Sequence, residues 1–242
     1  MKFLELVPRD LDDLLILSKL AVDQYSFEGI NIPDVQRLSI RSHEAAAYLL
    51  KHNLDAIPHL RCVSASIDTL LDIVSSLVDL GLSKVLVVNG DIPQVLEQTF
   101  DNTSLFVIEA IKEKFSDIVV YAALDPYRQN FKRELLYCEQ KINAGADGFF
   151  SQPFFDSHLA AIYLDQFRDA SFFIGSSPVL TDKSYQYWRN RNHVFFPSDF
   201  ELTLDFNIKL AKDLISLVDS FKQHIYLMPI LMDPLSYMKA LD

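Results

Sequence analysis

Two kinds of apolar segment alternate along this chain, and that alternation constrains its fold more than any other feature. Short runs rich in β-branched and aromatic residues fall at 3–7, 28–32, 56–63, 84–90, 118–124, 148–152, 172–175 and 225–230. Each has the length of a strand, and several are apolar almost throughout, as strands buried on both faces must be. Longer stretches with helical spacing lie between them. Leu70, Ile73, Val74, Leu77 and Val78 recur at i, i+3, i+4, i+7 and i+8, with Asp68, Asp72, Ser75 and Asp79 off that stripe. Leu204, Ile208, Leu210, Leu214, Ile215, Leu217 and Val218 draw a similar face before the last run. Asp10 stands where an N-cap is expected, and Asp13 adds acid to the first turn behind it.

Eight strands alternating with helices over 242 residues predict an α/β fold, a single (β/α)8 TIM barrel spanning residues 1–242, since such barrels usually run to about 250 residues. An open doubly wound sheet is the runner-up, but it requires a Gly-rich first turn, and no G-x-G-x-x-G occurs. Residues 189–197 read as an extra segment between the seventh and eighth units. A hydrophobic fraction of 50% excludes disorder, and two cysteines, Cys62 and Cys138, exclude a disulfide framework and point to reduced thiols. Lys and Arg total 22 against 33 Asp and Glu, a net charge of −11 that argues against a nucleic-acid partner. Glu5 and Pro8 interrupt any signal-like apolar region, and no apolar window is long enough to span a bilayer. The expected location is therefore cytoplasmic, away from membranes.

In a barrel, chemistry gathers where the strands end at the C-terminal face. Those ends carry Glu5, Asn31, His59, Arg61, Ser64, Asn89-Gly90-Asp91, Asp125, Ser151-Gln152 and Ser176-Ser177. A carboxyl such as Glu5 inside an apolar strand is desolvated, which raises its pKa toward what a general acid needs at neutral pH. A structural pair with a lysine or arginine inside the barrel is equally compatible with that position. Asp91, after Asn-Gly, reads first as a turn residue. Gln152 is either a satisfied buried amide or a donor–acceptor for the edge of a planar heterocycle. His59, beside a proline, reads as a packed core histidine ahead of a catalytic base. No H-x-x-x-H, H-E-x-x-H or C-x-x-C spacing occurs, so no metal site is expected. A G-x-S-x-G nucleophile elbow is also absent.

At these same positions the chain resembles the methylenetetrahydrofolate reductase family of flavin-dependent barrels. Phe3-Leu4-Glu5-Leu6-Val7-Pro8 is similar to the family's opening strand, and Pro58-His59-Leu60-Arg61-Cys62 to its third. Val87-Val88-Asn89-Gly90-Asp91-Ile92-Pro93 is similar to the fourth, and His224-Ile225-Tyr226 to the last. The most specific stretch is Lys141-Ile142-Asn143-Ala144-Gly145-Ala146-Asp147 followed by Ser151-Gln152-Pro153-Phe154-Phe155-Asp156. The resemblance implies an oxidoreductase of one-carbon metabolism and methionine biosynthesis. Its reaction would take 5,10-methylenetetrahydrofolate to 5-methyltetrahydrofolate with NADH or NADPH through bound FAD. It assigns proton donation to Glu5 and tuning of the flavin to Asp91. It also implies cofactor contacts from Asn31, His59, Asn89, Gly90, Asp91, Arg128, Glu134 and Lys141. Folate contacts fall to Gln152, with Tyr185 or Trp188 as a stacking face.

The chain also departs from the family pattern. Asn89 replaces a basic residue or threonine before Gly-Asp, and Arg128-Gln129-Asn130 replaces His-Pro-Glu after the fifth strand. Glu134 and Tyr137 stand where an acid and an amide precede the lysine, and Ile230 where an arginine follows the last strand. Most of these departures touch the pyrophosphate and adenosine end of FAD, whereas Glu5, Asp91 and Gln152 at the folate end survive. The expectation is that folate chemistry is kept while flavin is bound weakly, differently or not at all, with Arg128 replacing a lost phosphate contact. A reading from another class is a non-catalytic or flavin-free folate-binding subunit of a one-carbon enzyme that takes its electrons from a partner chain. A different folate or one-carbon reaction on the same barrel is a third. The sequence leaves room for a homo-oligomer or a partner subunit.

Overall fold

The computed structural model describes residues 1–90 and 99–242. Its strands are β1 (Lys2–Glu5), β2 (Gly29–Ile32), β3 (Ala56–Arg61), β4 (Lys84–Val88), β5 (Val119–Leu124), β6 (Gly148–Pro153), β7 (Ser171–Ser176) and β8 (His224–Leu227). They pair in parallel and in chain order, and β8 closes on β1 with Phe3 opposite Tyr226. The described helices are α1 (Leu11–Tyr25), α2 (Ser42–Lys51), α3 (Ile67–Val78), α4 (Ser104–Lys114), α5 (Phe131–Asn143), α6 (Ser157–Gln166), α7 (Asp182–Arg191), α8 (Leu204–Ser220) and α9 (Pro234–Leu241). The chain is a (β/α)8 barrel, as its alternation predicts.

Local chemistry sets the element ends. Asp10 caps α1 by accepting from the backbone N–H of Asp12 and Asp13 at 2.9 and 3.0 Å, which satisfies donors the first turn leaves orphaned. The stripe of α3 buries Leu70, Val74 and Leu77 as expected. In α8 the buried face is Asn207, Ala211, Leu214 and Val218, while Leu204 opens the helix exposed. Several strands stop short of the predicted ends. Cys62–Ser64 turn into a 3₁₀ segment, Gly90 takes a positive φ of 84°, and the β8 pairing stops at Leu227, ahead of Pro229. The extra segment also starts later than predicted. Arg189–Arg191 close α7, because buried Trp188 anchors that last turn and its carbonyl accepts from Val194.

Alternate residues of each strand face the barrel axis. The lower interior is filled by Phe3, Ile57, Leu86, Tyr121, Phe150, Phe173 and Tyr226. Phe150 and Phe173 stack at 4.1 Å, and Phe3 and Tyr121 meet both edge-on. Gly29 yields its side-chain space to Phe3, whose ring lies 2.5 Å from where a Cβ would stand. Two residues further along the same inward parity come Glu5, Asn31 and His59. An aromatic floor thus lies beneath a polar layer at the C-terminal mouth.

Candidate active site

The mouth is organised around Glu5. The hydroxyl of Tyr226, on the neighbouring strand, donates to Glu5 Oε2. Burial pushes the Glu5 carboxyl up to about 7, while that donated hydrogen bond pulls in the opposite direction. Tyr226 itself is pushed well above its ordinary range by burial and by the adjacent carboxylate, so its hydroxyl keeps its proton. No lysine or arginine forms an ion pair with Glu5 among the described residues. The structural-pair reading of its position is not met there, and a neutral, protonated carboxyl is the form this environment favours.

Around this pair lie buried polar atoms with nothing to bond. Asn31, directly opposite Glu5 across the β1–β2 ladder, is fully buried. Its amide lies close enough to influence the Tyr226 hydroxyl, yet neither amide atom completes a hydrogen bond. His59 Nε2 and Ser177 Oγ are likewise buried without a partner among the described residues. Burial lowers the His59 pKa to about 3, so the ring is neutral and no ready proton donor. Its backbone carbonyl accepts from Ser42. Unpaired buried polar groups are costly and rare, and here they share one face.

Gln152 is exposed, which settles its two readings against the buried amide. The cause is an irregularity in β6. Phe150 pairs with Phe173 but Pro153 pairs with Gly175, so β6 carries one residue more than β7 between those pairs. A bulge of this kind re-aims a side chain. Ser151 turns to accept from the Gly175 N–H at 2.8 Å, and the Gln152 amide is left without a described partner.

Of the residues that the resemblance assigns to the cofactor, Asn31 and His59 are the unpartnered groups just described, whereas Lys141 and Glu134 are engaged within the protein. Lys141 is 4% exposed, donates to the Ala123 carbonyl at 2.6 Å and lies 4.1 Å from the Tyr137 ring. Burial lowers its pKa. The Tyr137 hydroxyl is 2.8 Å from Ser104 Oγ, tying α5 to α4. Glu134 is 1% exposed and accepts from Gln129 Nε2 at 2.7 Å and from the Asp125 N–H. Its role is to close the β5–α5 loop. Gly90 faces the Arg61 side chain, and a Cβ there would meet Arg61 Nε at 2.7 Å. The backbone carbonyl of Asn89 accepts from the Val63 N–H. Arg128 alone of this set is exposed, on a cleft it shares with Gln129, Arg133, Leu136, Tyr137 and Gln140. As a donor set for a pyrophosphate, one exposed guanidinium beside a buried carboxylate does not fit. Asp91 lies outside the described residues.

Of the two stacking candidates, the structure contradicts Trp188. Trp188 is 4% exposed and packs on Phe155, so protein contacts take up its ring. Tyr185 is half-buried with one face stacked on Phe196 at 4.4 Å. Cys62 and Cys138 are buried free thiols pushed up to about 12 by burial, hence unreactive. No cluster of three or more His, Cys, Asp or Glu among the described residues is placed to hold a metal ion. No described helix is long and apolar enough to cross a membrane. Tyr226 was given no role from sequence. Its signal was the inward parity of β8, readable only once β8 is known to close on β1.

A sequence model of the family described as methylenetetrahydrofolate reductase matches residues 33–206. The probable methylenetetrahydrofolate reductase (NADPH) of Caenorhabditis elegans is 26% identical over 166 residues, covering 64% of this chain and 25% of that protein. The 5,10-methylenetetrahydrofolate reductase of Pectobacterium carotovorum subsp. carotovorum is 26% identical over 152 residues, covering 60% of this chain and 51% of that protein. The chain thus spans between a quarter and about half the length of these relatives. Among solved structures, a Clostridium thermocellum protein described as binding two copies of 5-methyl-5,6,7,8-tetrahydrofolic acid superposes with a TM-score of 0.71 at 14% identity, over 100% of this chain and 93% of that one. Oxaloacetate acetylhydrolase superposes with a TM-score of 0.62 at 12% identity, over 98% and 77% of the two chains. The barrel alone is therefore shared with other chemistry. The sequence match covers most of the chain, and on that ground the chain belongs to the methylenetetrahydrofolate reductase family.

Proposed function

We propose that this chain reduces 5,10-methylenetetrahydrofolate to 5-methyltetrahydrofolate, with NADH or NADPH as the source of hydride and Glu5 as the acid. The observation that carries this reading is the Glu5 carboxyl, held near neutral pKa at the mouth of a barrel of this family. Opening the imidazolidine ring to an iminium requires a proton on N10, and a carboxyl titrating near 7 supplies it at physiological pH. Tyr226 engages Oε2, which leaves Oε1 to present the proton. Asn31 and Gln152 offer amides that donate and accept, the chemistry a pterin edge requires. Asp91, to which the resemblance assigns tuning of the flavin, would as a negative charge also favour the cationic iminium. The folate bound by the Clostridium thermocellum neighbour is the product of this reaction, which supports a folate site in the same barrel.

FAD, when bound, supplies a hydride relay in this family. The residues for its dinucleotide half do not fit it here, and the steps given to Glu5, Tyr226 and Gln152 do not depend on which group delivers the hydride. The two buried free thiols suit a reducing compartment, consistent with the cytoplasm. The test is direct. Purified protein is incubated anaerobically with 5,10-methylenetetrahydrofolate and NADH or NADPH, and 5-methyltetrahydrofolate is measured by mass spectrometry. Product that disappears in Glu5→Gln supports the assignment. A protein that binds folate but forms no methyl product under any donor would be a binding subunit.

A further inference from the structure

We propose that Ser177, to which neither the family resemblance nor the reductase reading gives a role, binds the pterin ring of folate through its side-chain hydroxyl. The inference rests on the folate reading of this mouth and adds a contact on the β7 side of Glu5. Ser177 is 4% exposed, and its Oγ is buried with no hydrogen-bond partner among the described residues. A buried hydroxyl left unpaired is costly, and an alanine in its place would carry no such cost. A ligand that completes the hydrogen bond accounts for the hydroxyl.

Its direction follows from the backbone. Along β7, Phe173 belongs to the aromatic floor, and a Cβ on Gly175 would meet Met228 Cε inside the barrel. Pro178 follows Ser177, and a residue before proline is biased to extended backbone, so the alternation of faces carries through to Ser177. Ser176 takes the other face, beside the Tyr237 hydroxyl of α9. The loop beyond is fixed by Asn207, an amide on the buried face of α8. Its Oδ1 accepts from the Val179 N–H at 2.9 Å, and its Nδ2 donates to the carbonyls of Val179, Glu201 and Thr203 at 3.2, 3.1 and 2.8 Å. Ser177 thus stands on a pinned backbone with its hydroxyl toward the mouth.

Register relates that hydroxyl to the acid. Leu227 of β8 pairs with Leu4 of β1 on one side and with Ser176 of β7 on the other. One residue further on, the same row runs Glu5, Met228, Ser177. At about 4.8 Å per strand, the Ser177 backbone lies about 10 Å from that of Glu5 along the barrel wall. Asn31 lies opposite Glu5 in the other direction, so the unpaired groups that the resemblance gives to the cofactor, Asn31 and His59, are on the far side of the acid. Ser177 falls instead between Glu5 and Gln152 of β6, the residues given to N10 and to the pterin edge. A ring that reaches from one to the other passes over Met228 and Ser177. Met228 is a flexible thioether that re-packs readily, and its tip already lies toward Gly175, on the floor side of the hydroxyl. The Ser177 hydroxyl can both donate and accept, and the lactam edge of a pterin offers it a carbonyl and an N–H.

Binding and melting of the intact protein test this together. The parent and Ser177→Ala are titrated with 5-methyltetrahydrofolate and with 5-methyltetrahydropteroate, which keeps the ring and lacks the glutamate. Loss of one neutral hydrogen bond predicts about three- to tenfold weaker binding of both compounds. The melting temperature without ligand should not fall, because the hydroxyl has no partner to lose. Equal affinity in the two proteins would overturn the proposal, and so would a loss confined to the glutamylated compound, which would place the hydroxyl on the tail. A fall of more than about 3 °C without ligand would make it a structural hydroxyl and overturn the proposal too. In each of those cases the parent still binds folate, so the reading of the site stands. A parent that binds neither compound would overturn that reading, and this proposal with it.

Discussion

Burial and one hydrogen bond set the protonation of Glu5 in opposite directions, and both can be tested separately. The folded protein holds this proton up to about pH 7, against 4.5 for an ordinary glutamate. Between those values the native state binds the proton more tightly than the unfolded chain, so the contribution of Glu5 to stability is present below about 4.5 and lost as pH rises to about 7. Glu5→Gln keeps an acceptor for Tyr226 and removes the ionisation. Thermal melts should show the variant more stable than the parent at pH 8, by on the order of 3 kcal/mol, with the gap closing at pH 5. A gap independent of pH would refute the buried-acid account. Tyr226→Phe acts the other way. Without the hydroxyl the ionised carboxyl loses a donor, the Glu5 pKa rises further, and the alkaline limb of the pH–rate profile should move up by about one unit. A uniform loss of rate with an unmoved limb would make Tyr226 a packing residue only.

Elements place these residues, and the β6–β7 pair places Gln152. A Cβ on Gly175 would stand 2.6 Å from Met228 Cε, 2.6 Å from the Ser151 carbonyl oxygen and 2.8 Å from that of Gln152. Two of those atoms are backbone and cannot yield without reshaping the bulge. Gly175→Ala should therefore cost about 1–3 kcal/mol in denaturant unfolding and raise the KM for folate more than it lowers kcat. A stable variant with unchanged KM would separate the bulge from the site. The strands were legible from sequence because a strand buried on both faces writes itself as an apolar run, as Val85–Val88 does. The bulge was not, since one surplus residue leaves Phe149-Phe150-Ser151-Gln152 looking like any strand end. Helix phase was equally hidden. The resemblance turns Lys141 and Trp188 toward a ligand, and both face the protein, because the turn of α5 and α7 against the barrel depends on packing partners far away in sequence. Glu5 was legible because a carboxyl two residues from Phe3 in an apolar strand has nowhere to point but inward.

Across the whole molecule the charge is −11, and both reactants of the proposed reaction are anionic, so the summed field opposes their approach. Distance decides whether that field governs. At 0.1 M salt the Debye length is about 10 Å, and acids on the far end of the barrel and on the outer helices are largely screened at the mouth. Arg128 and Arg133 share one cleft at the β5–α5 loop, with Lys132 beside them in sequence. Glu134, the carboxylate beneath them, is 1% exposed and engaged by Gln129 and the Asp125 N–H. Asp125 is the partly buried acid of the same loop that faces Arg128, and the local basic rim is expected to outweigh the dispersed acidic surface. Raising salt from about 50 to about 300 mM should increase KM for 5,10-methylenetetrahydrofolate, whose glutamate carboxylates are anionic, by roughly two- to fivefold with little change in kcat. An Arg128→Ala/Arg133→Ala double variant should have the higher KM already at low salt and a flat response. A KM that falls as salt is added would mean that the overall negative charge prevails, and that the reactants enter away from the α5 side of the mouth.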